Sequence, residues 1–131
     1  MIHDLFGSGK IYLIRTPVSG RYGLPKLHGM VTSGVLGIEV NPDSTEEMYF
    51  IFVTKTLKTL MILHIDDAGI DFTKRILFNR RFRIMLKDKA NPIDLTREQL
   101  KRLVLDGTYE GDWESIYLKQ QLEELRNRIQ A

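Results

Sequence analysis

Two apolar runs constrain the fold of this chain more than any other feature. The first run is Met48–Val53 and the second is Leu60–Ile65, and both carry apolar residues at nearly every position. A strand that is apolar on both faces must be covered on both faces, so these runs predict the two central strands of a sheet. One helical layer can cover one face. The other face needs either the C-terminal helices or a second subunit.

Strand periodicity assigns the side chains of the two runs to opposite faces of the sheet. In the first run Tyr49, Ile51 and Val53 point one way, and Met48, Phe50 and Phe52 point the other. In the second run Leu60 and Ile62 lie opposite Met61, Leu63 and Ile65.

Two more strands are predicted after the central pair, which makes residues 48–87 a four-strand meander. Ile70, Phe72, Ile76 and Phe78 continue as a strand, and Asn79-Arg80 is a candidate hairpin turn. In the last strand Phe82, Ile84 and Leu86 face the core, while Arg81, Arg83 and Lys87 share the outer face.

One strand and one helix precede the meander. Residues 10–15 predict an edge strand that ends before Pro17. Leu24, Leu27, Val31 and Val35 then recur at helical spacing, with Pro25 tolerated in the first turn and Gly37 as a stop.

Two helices are predicted at the C-terminal side. Thr96 and Gln99 have the spacing of a capping box, and Gly107 ends that helix. Asp112 can cap a last helix from Trp113 onward, whose apolar seam consists of Leu118, Leu122, Leu125 and Ile129. We expect this seam to dock on the chain's own sheet, with dimerisation as the alternative.

These elements predict an α+β fold: a mainly antiparallel sheet of about five strands, in the order β-α-β-β-β-β-α-α, with helices packed on it. Residues 1–131 then form a single domain with a flexible leader at 1–9, a core at 10–112 and a C-terminal helical extension at 113–131.

Composition limits the compartment and the chemistry. The chain has no cysteine, which indicates a reducing compartment and excludes Cys-based metal sites. The N-terminal residues do not resemble a secretory signal, and no apolar run approaches the roughly 20 residues of a membrane span. We therefore expect a cytoplasmic protein without a membrane partner.

Charge is distributed unevenly along the chain, although the net charge is only +2. Residues 72–102 carry +7, whereas residues 1–71 carry −2 and residues 103–131 carry −3. Such segregation can attract a polyanion such as double-stranded DNA, and the alternative is a solvated surface that happens to be basic. The basic residues of the last predicted strand would also discourage edge-to-edge pairing. The candidate DNA-contacting residues are Arg21, Lys26, Lys74, Arg75, Arg80, Arg81, Arg83 and Lys87.

Catalytic constellations are absent from the sequence. Asp66, Asp67 and Asp71 cluster near Gly69, but turn capping explains them better than a metal site. His64 lies in an apolar strand, where a structural histidine with satisfied hydrogen bonds is expected. We therefore predict a non-enzyme without cofactor or metal.

Several motifs, taken in order, resemble one protein family. The segment Ile11–Leu13 followed by Thr16–Gly23 is similar to its "strand, Pro-Thr-Asp-Met-Arg-Lys-Gly, helix" opening, and Phe50-Ile51-Phe52 is similar to its Phe-Val-Phe. Residues 63–69 resemble its Leu-Trp-Trp-Asp-Gly-Asp-Gly. Later motifs are Lys74-Arg75-Ile76, Arg81-Phe82, and Leu95-Thr96 with Gln99-Leu100. The family is TnpB, the accessory protein that the second reading frame of insertion-sequence sixty-six type transposons encodes.

The resemblance runs from about residue 10 to 113 and implies an accessory role in bacterial transposition, beside a separate transposase that carries the catalysis. Its motif residues are Pro17, Arg21, Gly23, Asp66, Gly69 and Phe82. The chain departs from the family pattern at Ser19-Gly20, at His64-Ile65 and at residues 53–58, where the family has an arginine-rich turn. The expected partners are DNA, the transposase or a second copy of the chain. A protein-interaction or dimerisation module without DNA binding is the alternative.

Overall fold

A computed structural model of the chain describes residues 9–38, 46–87, 91–109 and 113–130, without the side chains of 113–120 and 130. Residues 1–8 of the predicted leader, the predicted cap Asp112 and the side chain of Leu118 lie outside this description. None of the helices in the described ranges is both long and apolar enough to cross a bilayer.

Five strands form one mixed sheet: β1 (Lys10–Val18), β2 (Met48–Thr54), β3 (Thr59–Ile65), β4 (Ile70–Ile76) and β5 (Ile93–Asp94). Their spatial order is β4-β3-β2-β1-β5, and only the β1–β2 pair is parallel. Helix α1 (Leu24–Thr32) lies between β1 and β2 and supplies the crossover that a parallel pair requires. The predicted α+β class with a sheet of about five strands is confirmed, although β5 is not one of the strands that the sequence predicted.

The central strands are β2 and β3, as predicted, and the two faces have separate cores. All seven residues of β2 are buried. On one face Phe50 and Leu63 pack with Leu27 and Val31 of α1. On the other face the core continues into helix α2 (Arg97–Asp106) through Leu100 and Leu103. The chain therefore covers both faces of its own sheet.

Strand β1 is not the sheet edge that the sequence predicted. It lies between β2 and β5, and β5 pairs only with Tyr12 and Leu13. The first helix is also shorter than predicted, because it ends at Thr32 and leaves Val35 beyond it and 70% exposed. Pro25 lies in the first turn of α1, as predicted.

Both ends of α2 agree with the sequence. The Thr96 hydroxyl accepts a hydrogen bond from the Gln99 amide, and the Gln99 side chain accepts one from the Thr96 amide. This capping box satisfies two amides that the helix itself leaves unpaired. Gly107 ends the helix in the left-handed conformation, with φ of 79°.

The predicted fourth strand of the meander, with its hairpin turn at Asn79-Arg80, is wrong. After Ile76 the chain leaves the sheet edge and crosses the face that α2 covers. Phe82 and Ile84 are buried in that core. The alternating apolar pattern therefore belongs to an extended segment that packs on a face of the sheet, and not to a strand that pairs with β4. The amides of Phe82 and Arg83 donate to the carbonyls of Leu57 and Gly107, which lie outside the strands.

Helix α3 (Trp113–Gln130) does not dock its seam on the sheet in the way we expected. Leu122, Leu125 and Ile129 are 60%, 53% and 75% exposed, respectively. The three described seam residues are therefore available at the surface of the single chain.

Candidate nucleic-acid interface

The topology brings four chain segments to one end of the sheet. Strands β1 and β2 run parallel, and β3 and β4 alternate in direction, so the carboxyl ends of β1, β2 and β4 lie beside the amino end of β3. The register pairs Val18 with Thr54, Val53 with Leu60, and Thr59 with Ile76. The described loops that follow β1, β2 and β4 at this end all carry basic residues.

We call this surface the basic end. All its members have exposed side chains, and they come from the loop after β1, the first turn of α1, the β2–β3 turn, the last residues of β4 and the segment after it. They are Arg21, Lys26, Lys55, Lys58, Lys74, Arg75, Arg80 and Arg81.

Lys74 and Arg75 place positive charge on both faces of the edge strand. Lys74 shares a face with its register partner Met61, and its Nζ lies 3.5 Å from the Gly20 carbonyl oxygen and 5.8 Å from the Phe72 ring centroid. Arg75 is opposite Leu60 and therefore projects to the other face. The basic end thus extends around the sheet edge.

Backbone hydrogen bonds join the segment after β4 to the β2–β3 turn. The Leu77 amide donates to the Lys58 carbonyl at 2.9 Å, and the Phe82 amide donates to the Leu57 carbonyl at 2.6 Å. Leu57 has a φ of 61°, an uncommon left-handed conformation for a branched side chain. The turn and the arginine-bearing segment are therefore one unit.

Arg80 is anchored at its guanidinium. Its Nη2 donates to the Leu105 carbonyl oxygen at 3.0 Å, at the C-terminal end of α2. The unpaired carbonyls of a helix end carry partial negative charge, so a cation is favoured at this position. This contact fixes the direction of one arginine of the basic end.

Helix α1 adds positive potential with its N-terminus. No acidic residue lies in its first turn, so the partial positive charge of the helix end is not offset there. Lys26 belongs to this turn, and its Nζ lies 5.4 Å from the Tyr22 ring centroid.

Tyr22 also lines a cleft of about 590 Å³ between the loop after β1 and the β2–β3 turn, together with Ser19, Gly20, Thr54 and Lys55. Hydroxyl groups and backbone amides of this kind are common phosphate ligands.

Two of the arginine and lysine candidates from the sequence, Arg83 and Lys87, lie further along the crossing segment. Their backbone contacts are with the C-terminal end of α2 and with β1. The Lys87 amide donates to the Arg15 carbonyl, and the half-buried Arg83 donates its amide to Gly107. Conversely, the candidates from the sequence did not include Lys55 and Lys58. Their turn has lysines where the family pattern has arginines.

The opposite end of the sheet is rich in carboxylates, alongside Lys10. Glu46, Glu47, Asp66, Asp67 and Asp71 lie in or next to the connections there. The separation of these acids from the basic end follows from the strand lengths, since seven residues span roughly 23 Å. The protein is therefore electrostatically polar along its strands.

His64 is the structural histidine that the sequence predicted. Its Nε2 lies 2.8 Å from Glu47 Oε1, and its Nδ1 lies 3.1 Å from Asp71 Oδ2. The imidazole stacks on Tyr49 at a centroid distance of 4.4 Å, and the Tyr49 hydroxyl donates to Glu47 Oε1 at 2.8 Å. Both ring nitrogens have carboxylate partners, so the group ties β2, β3 and β4 together.

Asp66 caps the β3–β4 turn, as predicted. Its Oδ1 accepts hydrogen bonds from the amides of Ala68 and Gly69, both at 2.9 Å. These two bonds favour the ionised form and lower the pKa of Asp66 below its ordinary value of 3.8. Among the described residues no group of three histidines or carboxylates is arranged to hold a metal ion.

The family motif residues have mostly structural roles. Gly23 is the N-cap of α1, Asp66 and Gly69 build the β3–β4 turn, and Phe82 is buried. Arg21 is the motif residue that belongs to the basic end. The family motif residues therefore serve mainly to build the sheet and its connections, and less to supply reactive groups.

Comparison with known proteins agrees with the family resemblance of the sequence motifs. A model of the family described as "IS66 Orf2 like protein" matches residues 9–113, which include every strand and the first two helices. No curated protein and no solved structure matches the chain. Since the family model covers most of the chain, the chain belongs to the IS66 Orf2-like proteins, the accessory proteins of insertion-sequence transposons.

Proposed function

We propose that this accessory protein is non-catalytic and binds double-stranded DNA during transposition through the basic end. The observation that carries the proposal is the convergence of eight exposed basic residues, distant in sequence, at one end of the sheet. A random distribution of surface charge would not be expected to separate these basic residues from the carboxylates at the other end of the sheet.

The size of the basic end suits a duplex. Four strands about 4.8 Å apart span roughly 14 Å, and B-DNA carries one phosphate charge per about 1.7 Å of its axis. That spacing counts both strands of the duplex, and one face of the duplex presents about half of these charges. About three to five phosphate contacts are therefore geometrically reasonable. The acidic end is repelled by the same polyanion, so the charge distribution also orients the protein on DNA.

Salt dependence tests this proposal directly. Binding of a fluorescent duplex is measured by anisotropy between 50 and 200 mM salt. Three to five phosphate contacts predict a slope of log affinity against log salt of about −2.7 to −4.5. Absence of duplex binding at the lowest salt concentration, or a slope near zero, would contradict the proposal.

Helix α3 favours a second function, self-association. Leu122, Leu125 and Ile129 are exposed at spacings of three and four residues, the spacing of a helix-pairing seam. A second copy presents the same seam, so two α3 helices related by a twofold axis bury both seams together. Light scattering of the full chain over a range of concentrations tests this proposal, and a monomer at every concentration would reject it.

We further propose that the protein acts in the cytoplasm, with its element's transposase as another candidate partner. Co-purification of the transposase with the wild-type chain, compared with a variant that lacks the exposed leucines, would separate this partner from self-association.

A further inference from the structure

Phe78 is an exposed aromatic residue in the segment that carries four of the eight basic residues of the basic end. Its side chain is 87% exposed, whereas Leu77 beside it is 6% exposed and Phe82 is 1% exposed. The chain around it reads Lys74-Arg75-Ile76-Leu77-Phe78-Asn79-Arg80-Arg81, so basic residues precede and follow the ring. Ile76 is also more than half exposed.

The loop that carries Phe78 is held on both sides. Leu77 and Phe82 insert into the core under α2, and their amides bond to the β2–β3 turn at Lys58 and Leu57. Between these anchors, Arg80 bonds to the Leu105 carbonyl. Because both ends and one arginine are fixed, the loop presents Phe78 outward in a restricted set of positions.

Single exposed apolar residues are common on protein surfaces and need no explanation by themselves. The informative feature is the combination of an outward aromatic ring with a surface of eight cations. A partner for this surface must carry negative charge and a flat apolar face at the same place. Nucleic acid with an unpaired base has both, since its phosphates are charged and its unstacked base exposes a π-face. A fully paired duplex offers the charge but keeps its base faces stacked.

We propose that Phe78 stacks on an unpaired base, so that the protein prefers DNA in which a duplex adjoins unpaired nucleotides. The basic residues hold the phosphates on either side, and the ring takes the place of the missing neighbouring base. This inference rests on the proposed DNA binding and specifies the form of DNA that is bound.

The test compares two DNA molecules of equal length, one fully paired and one with a two-nucleotide gap opposite a 2-aminopurine. Stacking contributes enough per base to predict about 5- to 100-fold tighter binding of the gapped molecule by the wild-type chain, with quenching of the 2-aminopurine fluorescence. Phe78→Ala is expected to lose this preference and the quenching, with its affinity for the paired duplex unchanged within about twofold.

Two further variants separate stacking from general apolar contact. Phe78→Trp keeps an aromatic face and retains the preference, whereas Phe78→Leu keeps apolar character without a π-face and loses it. Val35→Ala removes another side chain that is 70% exposed and serves as a control with unchanged preference.

Equal wild-type affinities for gapped and paired DNA would overturn the inference while leaving duplex binding intact. Retention of the preference by Phe78→Ala, or by Phe78→Leu, would also overturn it, because an aromatic face would then be unnecessary. Absence of binding to both molecules would reject the inference together with the proposed function. A change in self-association in Phe78→Ala, with DNA binding unaltered, would assign the ring to a protein partner instead.

Discussion

The Nζ atom of Lys74, on the edge strand, lies 3.5 Å from the carbonyl oxygen of Gly20, 54 positions earlier in the sequence. This contact links the loop after β1 to the end of β4, although β2 and β3 lie between these two strands in the sheet. It shows how the sheet topology collects basic residues that the sequence keeps apart. The basic end therefore depends on the fold as much as on composition.

Phe78 and Phe82 provide a matched pair for testing the path of the segment after β4. Phe82→Ala removes a ring that is 1% exposed and is expected to lower the free energy of unfolding by about 3–5 kcal/mol. Phe78→Ala removes a ring that is 87% exposed and is expected to change it by less than about 0.5 kcal/mol. Urea unfolding of both variants measures the difference. Comparable losses in the two variants would mean that the segment does not cross the face as described.

Asp66 predicts a specific pH dependence of stability. Its folded pKa is lowered by the amides of Ala68 and Gly69, so its contribution is fully present above the unfolded value of 3.8. The contribution is lost as the pH falls through the lower, folded pKa. Asp66→Ala is therefore expected to be less stable than wild type at pH 7, and the gap between them should narrow on acidification.

The measurement is urea unfolding of both proteins between pH 7 and pH 2, with Asp67→Ala as the control for loss of a neighbouring exposed carboxylate. A gap between wild type and Asp66→Ala that stays constant through this range would show that the ionised carboxylate is not the stabilising form.

The exposed seam of α3 predicts that charge can be introduced there without unfolding the domain. The double variant Leu122→Glu with Leu125→Glu is expected to keep the melting temperature of the monomer, because both side chains are more than half exposed. The same variant should abolish concentration-dependent dimers in light scattering. Gln121→Glu with Asn127→Glu adds the same charge at other exposed positions of the helix and should leave any dimer intact. Unfolding of the leucine variant would indicate that the seam packs within the chain.

Local patterns in the sequence were sufficient for the elements that depend on nearby residues. The double-sided apolar runs identified β2 and β3 and assigned their faces, and the Thr96–Gln99 spacing identified the N-terminus of α2. Each of these features is determined by periodicity or by contacts within one turn. The structural role of His64 followed from its apolar strand, although its partners Glu47 and Asp71 did not.

The path after β4 could not be predicted, because an alternating pattern is satisfied equally by a strand in a ladder and by an extended segment packed on a face. Phe82 and Ile84 are buried in both cases, but the neighbouring basic residues Arg81 and Arg83 reach different places. Lys55 and Lys58 entered the site because Leu57 and Lys58 accept hydrogen bonds from the crossing segment. The same segment carries Lys87 across the sheet face to β1, where its amide donates to the Arg15 carbonyl.

The most direct test of the central claim compares two charge-reversal variants that change the net charge equally. Arg75→Glu with Arg81→Glu alters the basic end, and Lys10→Glu with Lys101→Glu alters exposed positions outside it. Duplex binding is measured by anisotropy between 50 and 200 mM salt. We predict that the first variant loses at least tenfold in affinity and about 1.8 in the magnitude of the salt slope, as expected for two lost phosphate contacts, while the second stays close to wild type. Equal losses in both variants would contradict a DNA interface at this end of the sheet.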